Sequence, residues 1–161
     1  YHRVHMPAAG RLREMIHVPG RLFGVSAFSV RAIDRLFARN ERMVAVFDTT
    51  RGPMAVVMVG AINVSSIETV WAGEVTPPRG RQIRRWFYRG SDARSFQRGA
   101  ELGRFNMGST AIVLFGPEQM DWLPELMADQ KVRMGQALGR YASSDDSKVV
   151  QLDAYLKSRS Q

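Results

Sequence analysis

Short apolar runs punctuated by Gly and Pro recur along the chain: LREMIHV (12–18), RMVAVFDT (42–49), GPMAVVMVGAINV (52–64), SIETVWAG (66–73), QIRRWFY (82–88) and STAIVLF (109–115). Each is rich in Val, Ile or aromatic residues, and most have ordinary strand length. The pattern predicts a mainly β protein of α+β type: a compact single domain, sandwich-like or barrel-like, with a few short helices. Helical spacing is confined to two stretches. One is Ser29 to Phe37, with Ser29 as N-cap; the other is PEQMDWLPELMAD (117–129), which Pro124 divides. From residue 142 to 161 the sequence turns polar and predicts a fraying tail, although VVQLDAYL could form an amphipathic turn or two. There is no internal repeat and no low-complexity tract.

Composition narrows the chemistry. At 161 residues the chain suits one domain able to bury an ordinary core. Cysteine is absent, which excludes a disulfide framework, thiolate catalysis and Cys-ligated metal sites. The longest nearly apolar stretch, PMAVVMVGAI (53–62), is about half of what a membrane-spanning helix requires. YHRVHMP lacks the charged-then-apolar order of a secretion signal and Tyr1 is not a start residue, so the chain is expected to be part of a longer product.

The formal charge of +8 is carried mostly by arginine and favours anionic partners. Between Arg79 and Arg104 eight arginines stand against Asp92 and Glu101, interleaved with Trp86, Phe87 and Tyr88. A strand with a wet face writes the same text. A solvated face is the leading reading, anionic lipid contact the second and single-stranded nucleic acid the least favoured.

Candidate reactive residues are few. His2 and His5 are three positions apart, so a helical turn or a bent loop could bring both rings to one place, for packing, acid/base work or metal binding. No carboxylate stands at a spacing that would complete a metal site there. His17 sits inside a predicted strand and reads as structural. Gly108-Ser109-Thr110 places a flexible residue and a hydroxyl at the mouth of a strand. Taken alone, that is a turn, with Thr110 an ordinary β-branched strand residue.

YHRVHMP, LREMIHVPGRLF, LFARNER, FDTTRGPMAVVMVGAINVSSIETVWAG, TPPRGRQIRRW and ELGRFNMGSTAIVLF together resemble the catalytic core of the phosphatidylserine decarboxylases, over nearly everything from Tyr1 to about Gln136. The resemblance implies a pyruvoyl enzyme that cuts its own backbone at Gly108-Ser109. Ser109 would attack the Gly108 carbonyl, exchanging amide for ester. β-Elimination of the Gly108 carboxylate and hydrolysis with loss of ammonia would then leave Ser109 as a pyruvoyl group.

On that reading the catalytic core is 1–141, residues 1–108 become the β chain, and 109–161, including the polar tail, become the α chain. His5 is the implied base for Ser109 and the later proton donor, His2 orients the substrate's phosphate or carboxylate, and Thr110 supports the cofactor; no metal is implied. The implied substrate is phosphatidylserine, converted to phosphatidylethanolamine and CO2. The implied place is the cytoplasmic face of a bacterial-type membrane, bound peripherally to an anionic surface, with a homodimer as a further expectation.

The chain departs from the family pattern at Met107, where leucine is usual, and at LFGVSAFSV, where the family tends to read LFSVN. The family's N-terminal region, with its membrane-attaching helices and the aspartate that orients the histidine, is expected to be missing from this stretch, and the stretch alone is expected to stay largely uncleaved. Two alternatives stay open: a basic β domain that binds anionic lipid or nucleic acid without catalysis, and a pyruvoyl decarboxylase acting on a soluble amino acid.

Overall fold

The computed structural model describes residues 2–62, 66–76, 82–107 and 110–142. It divides into two compact units, residues 1–115 and 116–161. The alternation in RMVAVFDT becomes β3 (Arg42–Thr49), in which Met43, Ala45 and Phe47 are buried in turn. This is the period-2 signature of a strand with one dry face. β3 pairs with β2 (Gly10–Val18) on one side and β4 (Gly52–Val59) on the other. Beyond β4 lies β10 (Thr110–Phe115); beyond β2 lie β7 (Arg84–Phe87) and β8 (Arg94–Phe96). The result is a six-stranded antiparallel sheet in the order β10-β4-β3-β2-β7, with β8 also on β2.

A second sheet of the first unit runs β1 (Arg3–His5), β9 (Glu101–Phe105), β5 (Ile67–Thr69), β6 (Gly73–Thr76). Its Ile67, Val75, Leu102 and Phe105 are buried, as are Met15, Met43, Met54 and Met58 of the larger sheet. Methionines with three rotatable bonds fill such a core without demanding one shape. An aromatic cluster ties the β5–β6 turn to the six-stranded sheet: Trp71 lies 6.4 Å from Phe47 and 5.4 Å from Phe96, ring centre to ring centre. Among the described residues neither sheet closes on itself, so the mainly β expectation holds as open antiparallel sheets and not as a barrel.

The helices differ from expectation. Ser26, not Ser29, is the N-cap, its Oγ accepting the Ser29 N–H at 3.2 Å, and α1 covers only Ala27–Ala32. Ile33 turns extended and Arg35 takes a φ of 53°, which ends the helix before α2 (Leu36–Arg39) restarts it with Leu36 buried. Asn40, wholly buried, clasps the loop before them: it accepts the Phe23 N–H and donates to the Phe23 and Gly60 carbonyls, each at 2.9 Å. His17 is also buried, donating Nε2–H to Glu41 at 2.9 Å, a packed strand histidine.

In the second unit no helix forms over 117–129. Glu118 adopts a φ of 57°, incompatible with a helix, and Met120–Trp122 is instead β11, paired with β12 (Gly139–Tyr141). The intervening chain folds as turns, two of them closed by glutamine amides: Gln130 and Gln136 accept the Met127 and Arg133 N–H groups, each at 2.9 Å. The predicted tail, apart from Ala142, lies outside the described residues.

Candidate active site

Gly108 and Ser109 lie outside the described residues, which run up to Met107 on one flank and resume at Thr110 on the other. β9 ends at Phe105 in the four-stranded sheet, and β10 begins at Thr110 in the six-stranded one. The four residues 106–109 therefore carry the chain from one sheet to the other. Thr110 stands opposite Val59, the first of six consecutive pairs between β10 and β4. On the other flank Ile67 pairs with Phe105, and the Asn106 N–H donates to the Ser66 carbonyl at 3.0 Å.

Side chains reinforce the β9 flank. Asn106 Nδ2 donates to Glu68 Oε1 at 2.7 Å and also to the Ser66 hydroxyl, and Arg104 donates to Glu68 Oε2 at 2.5 Å. The Asn106 hydrogen bond, then that of Arg104, hold the Glu68 carboxyl below its ordinary value of 4.5, because each favours the ionised form; partial burial opposes them. Gly103 makes this approach possible: a Cβ there would stand 2.2 Å from the Glu68 carbonyl oxygen. These residues escaped the sequence reading, and only the β5–β9 register brings them together.

His5 closes β1 and His2 stands just before it, so the two do not lie on a helical turn; the register of β1 shifts between Val4 and His5. The Phe105 N–H donates to the His2 carbonyl at 2.9 Å, whereas His5 pairs with Glu101. His2 is exposed next to the end of β9; His5 is half-buried at the other end. The His5 Nδ1 lies 2.8 Å from the carbonyl of Gly99. A carbonyl only accepts, so Nδ1 carries the hydrogen and the neutral ring keeps its lone pair on Nε2, the tautomer a base needs on that side. Gly99 holds a φ of 81° in the turn between β8 and β9, and its N–H donates to the Met6 carbonyl at 2.8 Å, fixing the orienting carbonyl beside β1.

Elsewhere the described arginines of the basic stretch, from Arg84 to Arg104, are exposed. Arg84 lies 5.5 Å over Trp86, Arg89 lies 5.6 Å over Phe87, and Arg85 reaches Glu14 at 3.6 Å. Among the described residues no three His, Asp or Glu side chains gather as a metal ion would require, and no helix is long and apolar enough to cross a membrane.

Comparison with known proteins gives this arrangement its context. The family model described as phosphatidylserine decarboxylase matches residues 1–140. The chain is 61% identical over 139 residues to a phosphatidylserine decarboxylase proenzyme of Methylococcus capsulatus, covering 86% of this chain and 48% of that protein. It is 56% identical over 149 residues to the proenzyme of Nitrosococcus oceani, covering 92% and 49%, and 60% identical over 144 residues to that of Ectopseudomonas mendocina, covering 86% and 49%. The chain thus spans about half the length of the curated relatives it matches.

Proposed function

The chain belongs to the phosphatidylserine decarboxylase family, and from that premise we propose that its protein cuts itself between Gly108 and Ser109 and then decarboxylates phosphatidylserine to phosphatidylethanolamine. The observation that carries the reading is the family match across 1–140, with the Gly-Ser pair falling on the crossing between two sheets, its flanks pinned at Asn106 and Thr110.

The residues present suit a pyruvoyl group made in place: Ser109 supplies the carbon skeleton, Gly108 leaves the attacked carbonyl unshielded, and laddered strands hold both sides. Maturation balances as one water consumed and one ammonia released. The Ser109 hydroxyl replaces the amide nitrogen on the Gly108 carbonyl, the Cα proton and the Gly108 carboxylate leave by β-elimination, and hydrolysis of the enamine leaves the ketone. When present, that ketone accepts the electron pair set free as CO2 departs.

His5 has the tautomer for the proton transfers. With Nδ1–H given to Gly99, Nε2 is the basic atom; the family resemblance assigns it the Ser109 hydroxyl proton during the cut and, as imidazolium, the proton returned to the substrate carbon during turnover. His2, exposed beside the end of β9, faces the polar headgroup, and Thr110 steadies the new chain end. The +8 charge draws the protein to anionic lipid at the cytoplasmic face of the membrane, an attraction that weakens as salt rises.

The test is intact-mass analysis of the full-length protein before and after a carbonyl-trapping reagent, with CO2 release from phosphatidylserine vesicles. Two chains, an adduct on the one that begins at residue 109, and loss of both cut and activity in Ser109→Ala are expected. An active single unbroken chain would refute the proposal. Activity on a soluble amino acid in place of the lipid would redirect it to another pyruvoyl decarboxylase.

A further inference from the structure

We propose that Glu68 is a positioning residue for self-cleavage: by gripping the Asn106 side chain it fixes the backbone two residues ahead of the Gly108–Ser109 bond. The inference rests on the reading that this bond is the one cut.

Three observations carry it. First, Asn106 is held three ways: its main-chain N–H by the Ser66 carbonyl at 3.0 Å, and its Nδ2 by Glu68 at 2.7 Å and by the Ser66 hydroxyl. An end of a strand is ordinarily where a chain loosens. Here the side chains of Ser66, just before β5, and Glu68, within it, extend the restraint one residue beyond the ladder, and the next residue, Met107, is exposed. Second, Glu68 is itself braced, because Arg104 occupies its other oxygen at 2.5 Å, and a carboxylate held from both sides cannot swing away from Asn106. Third, Thr110 is locked opposite Val59 on the far side, so Met107, Gly108 and Ser109 alone separate two fixed points. A hydroxyl attacks its neighbouring carbonyl only from a narrow range of angles, and fixing both ends of a short segment restricts it to few backbone conformations.

The position of the clamp separates maturation from turnover. Glu68, Arg104 and Asn106 all belong to the piece that ends at Gly108, while Ser109 begins the other piece. Once the bond is cut, Asn106 no longer has a covalent route to residue 109. The clamp therefore governs how fast the bond breaks and leaves the later chemistry at residue 109 untouched.

The experiment follows the cut by intact mass in purified full-length protein as wild type, Asn106→Ala, Glu68→Ala, Glu68→Gln and the double alanine variant. Turnover is measured per pyruvoyl group, counted by carbonyl trapping. Melting temperatures are taken in a Ser109→Ala background, where no cut intervenes. Each alanine variant is expected to cut about tenfold or more slowly, in the range seen when a reacting group is misplaced by a fraction of an ångström. The double variant is expected to be no slower than the slower single one, since both remove the same link. Glu68→Gln, which keeps an oxygen for Asn106 and loses the charge facing Arg104, is expected to fall between. Turnover per pyruvoyl group should match wild type.

Cutting at the wild-type rate, or turnover per pyruvoyl group falling in step with cutting, overturns the inference. If the alanine variants melt below the assay temperature, the isosteric Glu68→Gln decides alone: slowed cutting in a protein that still melts above the assay temperature supports the clamp, and unchanged cutting overturns it. A wild-type protein that never splits refutes the proposed function instead, so the two failures are distinct.

Discussion

Replacing Gly103 with alanine probes the contact between β5 and β9 most directly. The added Cβ would stand 2.2 Å from the Glu68 carbonyl oxygen and 3.2 Å from both the Glu68 carbonyl carbon and the Thr69 Cα. Carbon and oxygen in ordinary contact sit about 3.3 Å apart, so the two backbones must separate by about 1 Å. Neither obstruction is a side chain that can rotate away. Overpacking of this kind costs about 1–3 kcal/mol, and a clash against backbone belongs at the upper end. For a chain of this size about 3 kcal/mol lowers the melting temperature by roughly 10 °C.

The same opening carries Glu68 away from Arg104 and Asn106, now at 2.5 and 2.7 Å, past hydrogen-bond reach. Gly99→Ala is the control: φ is 81° there and nothing lies within 4 Å of the added Cβ, so the penalty is left-handed strain alone, about 1–2 kcal/mol. Scanning calorimetry in the Ser109→Ala background compares the two. If Gly103→Ala melts within about 2 °C of its parent, or no lower than Gly99→Ala, the close approach of β5 and β9 is refuted.

Asn40→Ala strands one N–H and two carbonyls in the interior and should cost about 3 kcal/mol, read as a lower urea midpoint at unchanged slope. Because its partners hold Glu68 below its ordinary 4.5, the carboxylate contributes stability above that pH and loses it as pH falls through the lowered value; Glu68→Gln should flatten this acid limb in melts between pH 6 and 3. Nitrogen-15 spectra of neutral His5 should show the proton on Nδ1; an Nε2–H tautomer would contradict the hydrogen bond to Gly99. Raising salt should release the protein from anionic vesicles progressively, and binding indifferent to salt would exclude an arginine-driven attachment.

Strands were legible where local and global demands agree. RMVAVFDT alternates because one face of β3 is dry, and its limits, Arg42 and Thr49, match the structure. SIETVWAG looked like one strand but folds as β5, a turn and β6. Val70 and Trp71 are good strand formers, and tertiary packing of Trp71 against Phe47 and Phe96 overrides that preference. The segment 117–129 has helical spacing, yet it is extended and turned, with β11 paired to β12.

The candidate site divides the same way. The family blocks point to Gly108-Ser109 as the pair proposed to react, while the contacts on its flank could not be read from them. Glu68 and Asn106 are 38 residues apart and His5 and Gly99 are 94 apart. No local pattern encodes such contacts, because they depend on which strands pair and in what register.

That the chain leaves one sheet at Phe105 and enters another at Thr110 also decides what a nick at the Gly-Ser link would do. Among the described residues no rung joins β9 to β10, so breaking the connection removes none of theirs. The downstream piece stays zipped along Met54–Val59 by Thr110–Phe115, and the nicked molecule should still travel as one particle. Its unfolding, though, would yield two molecules where there had been one, so recovery from denaturant becomes concentration-dependent: a protein easy to refold before the nick and hard to rebuild after it.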